Sequence, residues 1–351
     1  MNKASTLTAA VRAALLLGIA ARATTALAGY DIYNEDSTKL TFNLDAVVAG
    51  FTGDDSWFGA SKDFLGGPTN NWAEFGAEPR LSLETPLGGG TVFGQWSIVA
   101  TKTGSDDASG LTIGKDAEDA NVEQGNLGWK IDNVFSGLEN DTFSFSAGRQ
   151  DYLIGSGMLI ADGGSDGGER GGWYIGMRKA FQESAIVRLK SDEMLLEGFR
   201  LENRPRDGGT AGETWGVNGE DTFFGTTKVG LTYMEPETKH GEVPYDKPLD
   251  IYNGRLDWTP EGALAGVKLS GEYAYEKNDI IESEGWFTDS ATSSRKTPGR
   301  RRSATATRTS RATTRTPPRM KNSARSPTAS PTTAPGSRGK SPATTRWAMA
   351  T

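Results

Sequence analysis

The chain has 351 residues, no cysteine, one histidine and a formal charge of -7 at pH 7. Lacking cysteine, it depends on hydrogen bonding and packing alone, without disulfides, and its 36% hydrophobic content is low for a globular core of this length. The charge hides two unlike regions: all 45 acidic residues lie between Gly29 and Ser290 against 21 basic ones, a balance of -24 that excludes nucleic acid as a partner, whereas residues 291–351 carry 14 basic residues and no acidic one.

Residues 1–28 read as a secretory signal peptide. Lys3 and Arg12 supply positive charge, Ala13 to Ala21 is a short apolar run, and Ala26-Leu27-Ala28 is a small-x-small cleavage site, with Gly29 as the mature start. The run is too short to cross a bilayer, and no other stretch qualifies as a transmembrane helix.

Residues 29–290 alternate apolar and polar positions in segments of about ten residues, the period of a strand with two unlike faces. The first is 40–51, with Leu40, Phe42 and Leu44. The clearest is a hairpin over 72–103. Ala73, Phe75, Ala77, Leu81 and Leu83 lie opposite Glu74, Glu78, Arg80 and Glu84, the chain turns at 86–90, and Val92, Trp96, Ile98 and Ala100 return on one face. Further strands are predicted over 124–131, 142–152, 181–190, 194–202, 222–234, 251–259, 267–276 and from Trp286. In 194–202 the pattern is less clean, because Glu197 shares a parity with Leu195, Phe199 and Leu201.

Short turns (86–90, 191–193, 260–266) alternate with long Gly- and Asp-rich connections (52–71, 103–120, 155–178, 203–221, 235–249). Short turns on one rim and long loops on the other, with aromatics near strand ends (Trp129, Tyr152, Tyr233, Trp258, Tyr273, Tyr275), fit an antiparallel transmembrane β-barrel. The expected fold is all-β, with ten or eleven strands of an incomplete barrel. The alternative is a soluble exported β-sheet binding module, an adhesin or carbohydrate binder.

From Ala291 to Thr351 the composition switches to Arg, Thr, Ser, Ala and Pro, which predicts a disordered basic tail. Translation out of frame explains more. With permitted codons, shifting the frame by one base turns Ala291–Lys296 into Gly-Tyr-Leu-Phe-Glu-Glu, which continues the strand before it. Other tail segments become alternating strands and an acidic loop in the same frame. On this reading closing strands are encoded but not read, and this product forms no functional pore alone, because open sheet edges do not sit in lipid.

The strand end Phe145-Ser-Ala-Gly148-Arg149-Gln150-Asp151-Tyr152, a Gly-rich loop and the return Trp173-Tyr-Ile-Gly-Met-Arg178-Lys-Ala-Phe181 resemble the alginate-export family of outer-membrane porins. The resemblance covers roughly Leu40 to Ser290, and Gly148-Arg149-Gln150 is its only sharp motif. It implies a monomeric barrel of 16 to 18 strands in the bacterial outer membrane, passing a solute by diffusion. Its implied partners are outer-membrane lipid, lipopolysaccharide, the barrel-assembly machinery and a small-molecule or saccharide solute.

The chain departs from that family in its acidity, since a pore for an anionic polysaccharide calls for Arg and Lys. The candidate pore-lining residues carry both signs: Glu74, Glu78, Arg80, Glu84, Lys130, Arg149, Gln150, Arg188, Lys190, Arg200, Lys228, Arg255, Asp257, Lys268, Glu272 and Glu276. Such a mixture suits a small or zwitterionic solute, and equally a ladder of ion pairs between strands. Arg149 shares parity with Phe143 and Phe145, so it needs a bulge to face a pore.

Asp162, Asp166 and Glu169 form a weak calcium-loop candidate; a surface loop, or a loop folded into the pore as a constriction, is the stronger reading of that segment. His240 sits in a polar loop without a Gly-x-Ser-x-Gly partner motif, and no phosphate-binding, dinucleotide or zinc-type spacing occurs, so no enzyme and no resident cofactor is expected.

Overall fold

The computed structural model describes residues 27–54, 69–105, 116–204, 211–238, 249–279, 282–293 and 304–315, all within one compact unit, Met1–Thr316. The described part is all-β. Fourteen strands form one sheet whose spatial order is the chain order, every neighbouring pair antiparallel. They are β1 (Leu27–Glu35), β2 (Thr38–Asp54), β3 (Thr69–Leu87), β4 (Gly90–Ser105), β5 (Glu118–Asp132), β6 (Thr142–Gln150) and β7 (Phe181–Lys190). There follow β8 (Met194–Glu202), β9 (Gly212–Phe223), β10 (Thr227–Thr238), β11 (Asp250–Trp258), β12 (Val267–Lys277), β13 (Glu282–Ser293) and β14 (Ala304–Arg315). No recorded pairing joins β1 to β14. No described helix is long and apolar enough to cross a membrane.

Local chemistry explains the meander. Alternation makes each segment two-faced, and tight turns return it beside its predecessor. Gly88 and Gly89 both take positive φ, 62° and 81°, in a two-residue loop between Leu87 and Gly90. That is the loop whose twist matches the twist of the flanking strands, and glycine adopts it without steric cost. Asp36 and Ser37 do the same between β1 and β2.

The predicted strands are all present, but three expectations change. The predicted loop 203–221 and strand 222–234 are instead two strands, β9 and β10, with a turn at 224–226. The alternation of β9 is masked by its Gly, Asn and Glu content. At the N-terminus, β1 begins at Leu27, inside the predicted signal peptide. In the region predicted to be disordered, β13 runs on to Ser293 and Ala304–Arg315 pairs along the whole of it. Threonine suits a pleated edge, and an open strand recruits a partner. The count is therefore fourteen rather than ten or eleven. The alternation of short and long connections is only partly kept: the connections at 133–141 and 294–303 are long on the short-turn rim, and that between β12 and β13 is short on the long-loop rim.

The two faces of the sheet differ in chemistry and in exposure. One face exposes large apolar side chains: Val48 is 69% exposed, Leu127 62%, Leu196 52% and Leu231 66%. The opposite face buries Glu74, Glu78, Ser97, Thr101, Thr103, Glu197, Asn218, Glu220, Thr232, Asn253, Arg255 and Glu272. The same face also buries the apolar side chains of Ile186, Phe199, Leu201, Met234 and Ile251.

Aromatic rings line the long-loop end of the apolar face. Trp215 and Tyr233 meet edge to face at 5.6 Å, and Tyr233 and Tyr252 lie 5.3 Å apart. The hydroxyls reach charged residues at the rim: Tyr233 donates to Asp250 at 2.7 Å, Tyr273 to Glu284 at 3.0 Å and Tyr275 to Glu282 at 2.9 Å. Tyr152, predicted with this group, is instead buried on the polar side, because the chain leaves β6 toward that face.

Candidate functional site

The polar face is covered by the connection between β6 and β7, residues 151–180. This segment had two sequence readings, a surface loop and a loop folded inward; it folds inward. At one end it docks on β3, β4 and β5. The Tyr174 N–H donates to Glu74 Oε2 at 2.8 Å, Gly172 N–H to Thr103 Oγ1 at 2.9 Å, and Thr101 Oγ1 to the Arg170 carbonyl at 2.6 Å. Glu123 Oε1 accepts from the backbone of Lys179 and Ala180 at 2.7 and 2.8 Å. At the other end Tyr152 donates to Glu197 at 3.1 Å and Ser156 to Glu272 at 2.5 Å. Glu74 on β3 and Glu272 on β12 are nine strand spacings apart along the sheet. At ~4.8 Å per strand that is about 43 Å. One loop thus ties together nearly the whole polar face.

Two devices hold it. The first is apolar: Tyr152, Ile154 and Ile160 pack against Phe181, Ile186, Phe199, Leu201, Met234 and Ile251. This explains the irregular parity of β8, because Phe199 and Leu201 face the loop beside Glu197, not the outside. The second is Arg178, whose side chain is fully buried. Its Nη1 donates to Asp166 Oδ1 at 2.9 Å and to Thr101 at 2.7 Å, and its Nη2 to Asp119 at 2.9 Å. Asp166 Oδ2 also accepts from the Met177 N–H at 2.7 Å. Both Asp166 oxygens are thus committed to the loop's own fold, and Asp162, Asp166 and Glu169 do not gather into a metal-holding group among the described residues.

A bulge keeps the polar row continuous. Ser97 on β4 faces both Glu123 and Gln124, where the register between β4 and β5 shifts. Its hydroxyl accepts the Gln124 N–H at 3.0 Å and donates to Glu78 at 2.7 Å. The extra residue lets Glu123 and Gln124 both be buried although they are adjacent.

A second network crosses β7 to β12. Glu197 accepts from Arg188 at 2.7 Å and from Asn218 at 2.8 Å. Arg255 donates to Thr232, Asn253, Asn218 and Glu220, and Glu220 also takes Lys228. The Arg255 side chain fits because two glycines flank it. A Cβ on Gly230 would stand 2.6 Å from Nη2, and one on Gly155, which has φ of 56°, would stand 2.3 Å from Cδ. Asn253 donates to Glu272 at 3.1 Å, closing the chain of contacts back to Ser156.

The sequence candidates divide accordingly. Glu74, Glu78, Arg80, Glu84, Lys130, Gln150, Arg188, Lys190, Lys228, Arg255, Asp257, Lys268, Glu272 and Glu276 share the polar face by register. Many are paired across strands, as the ladder alternative requires: Lys130 with Glu84 at 2.9 Å, Arg80 with Asp45 at 3.5 Å, and Arg255 with Glu220 at 3.1 Å. Arg200 takes the other face, beside Trp215, and pairs with Glu213 near the rim. Arg149 stands at the shift in register between Gly148 and Gln150, and its Nη1 rests on the Val122 carbonyl at 2.8 Å. His240 lies outside the described residues. Sequence reading missed the anchoring role of Arg178, and it missed Glu123, Glu197, Asn218 and Glu220; of these four only Glu197 left a trace, in the broken alternation of β8.

The loop's carboxyls give it a pH dependence. Burial raises the Asp151, Asp162 and Asp166 pKa values above the ordinary 3.8, with Glu78 acting further on Asp151 and Asp166 on Asp162, while Arg80, Lys179 and Arg178 partly oppose it. A carboxyl raised in the docked loop binds its proton more tightly there than in the undocked one. Asp151 and Asp162 therefore favour docking most at and below the ordinary 3.8, and that contribution is lost as pH rises from there through the raised values, whereas protonating Asp166 gives up its ion pair with Arg178. Hydrogen exchange in residues 151–180, corrected for intrinsic rates, should show greater protection near about pH 4, close to the ordinary carboxyl value, than near about pH 7.5.

No family model and no curated protein matches this chain.

Proposed function

We propose that this chain is a porin-like protein of the bacterial outer membrane, its apolar face toward lipid and its polar face lining a route for small polar solutes narrowed by residues 151–180. The observation that carries the reading is the contrast between the two faces of the sheet: exposed Val48, Leu127, Leu196 and Leu231 on one side, buried Glu74, Glu197, Asn218 and Arg255 on the other. Lipid satisfies the first face, and water with paired charges satisfies the second. Strands of 9 to 19 residues are long enough to cross when tilted, and the rim tyrosines suit an interface. The resemblance to alginate-export porins supports the same class, while the mixed charges favour a small solute over a polyanion.

The test is fractionation followed by conductance. The 351-residue product should sediment with outer membranes, resist salt and carbonate, and dissolve only in detergent. A chain continued past codon 290 in the alternative frame should give steady single-channel currents in planar bilayers, and the present chain none. A water-soluble product after export would overturn the membrane reading and favour a soluble binding module.

A further inference from the structure

Between the loop tip at Gly155 and Ser156 and strands β9 to β13 lies a cavity of about 330 Å³, within the size range of small-molecule sites. Its upper tier is satisfied internally, since Arg255, Glu220 and Glu272 bond one another's neighbours as described above. Its lower tier is different. Register sets Asp257 opposite Ser270, and Ser270 opposite Asp289, on three adjacent strands. The two carboxylates flank a short hydroxyl side chain, with backbones about 10 Å apart at ~4.8 Å per strand. Lys268 stands two residues along β12 on the same face. By register Lys228 lies opposite Asp257 and Arg308 opposite Asp289, but Lys228 is drawn to Glu220; neither Asp257 nor Lys268 is held in an ion pair among the described residues, and Asp289 Oδ1 is buried with no hydrogen-bond partner. The Phe287 side chain supplies an apolar wall.

A buried carboxylate oxygen without a donor is costly, and a donor entering the cavity would relieve it. An ammonium group between Asp257 and Asp289 supplies that donor, and Lys268, held in no ion pair among the described residues, offers a cation to a carboxylate on the same ligand. We propose that this cavity binds a small zwitterion of the amino-acid class, its amine between Asp257 and Asp289, its carboxylate at Lys268 and its apolar part against Phe287. The inference names a solute class for the channel reading and rests on it for biological sense; the binding itself is a property of this chain.

The experiment is calorimetric titration of the full 351-residue chain, folded in detergent, with L-leucine, isopentylamine and 4-methylpentanoate. Leucine should bind at least about tenfold more tightly than either single-charge analogue, because both charged contacts are made at once. Asp289→Asn should weaken leucine about tenfold and leave 4-methylpentanoate unchanged. Lys268→Gln should weaken leucine comparably and leave isopentylamine unchanged. Circular dichroism confirms that each variant keeps its sheet. Equal binding of leucine and one analogue, no leucine binding at millimolar concentration, or insensitivity to both variants in folded protein would overturn the proposal. Conductance plays no part in this readout, so failure of the channel reading would show separately.

Discussion

Replacing Arg178 with methionine should release the inner loop, raising hydrogen exchange across residues 151–180 by about a hundredfold or more and exposing the Trp173–Tyr174 bond to chymotrypsin. Arg178 is buried between Asp166, itself 4% exposed, and Asp119, and it also holds Thr101. Removing one partner of a buried ion pair costs about 3–5 kcal/mol, because the other charge is left uncompensated. Each ~1.4 kcal/mol is a factor of ten in the docking equilibrium. Most of the loss should fall on the loop, since the ladder pairings of β4 and β5 do not pass through Arg178. Adding Asp166→Asn to Arg178→Met should recover part of the protection by removing the stranded charge. Exchange in the loop unchanged by Arg178→Met would show that the apolar cluster at Tyr152 and Ile160 suffices.

The second large effect distinguishes lipid from water on the apolar face. Leu231 lies in mid-strand on β10, between Gly219 and Gly254, and is 66% exposed. In a bilayer, Leu231→Arg places a charge in the hydrocarbon and should cost about 2–4 kcal/mol. On a surface facing water the same change should stay within about 0.5 kcal/mol. Urea unfolding of the chain continued past codon 290 in the alternative frame and folded into lipid vesicles, read by tryptophan fluorescence, measures the difference, with Leu231→Ala as the control for lost side-chain volume. Indifference to arginine here would remove the lipid-facing assignment of this face.

Both results depend on features of different legibility. The face that Leu231 occupies could be read directly, since Val229, Leu231 and Tyr233 alternate with Lys228, Gly230 and Thr232. The hairpin over Trp72 to Thr103 was legible for the same reason: its apolar and polar positions alternate, with Phe93 and Val99 as exceptions on the polar face. Where the alternation was interrupted, reading failed. β9 passed for a loop because Gly216, Asn218 and Gly219 dilute its pattern, and β14 passed for disorder because its composition departs from the body of the chain. Arg178 was legible only as part of the segment that carries the family resemblance, not as a buried anchor. It precedes β7 in an irregular segment, and nothing near it in sequence marks Asp119 or Thr101 as its partners.

What the sequence determined by itself is the set of two-faced strands and the tight turns between many of them. Side-chain parity and turn residues act over two to four positions, so the pattern is local. What only the tertiary structure decided is the fate of the charged face. Glu74 meets Tyr174 across 100 residues, and Ser156 meets Glu272 across 116. Contacts at that distance depend on the order in which strands line up and on the course of one irregular loop. They decide which carboxylates are tied down, as Glu74 and Glu272 are, and which, like Asp257 and Asp289, are left facing a cavity.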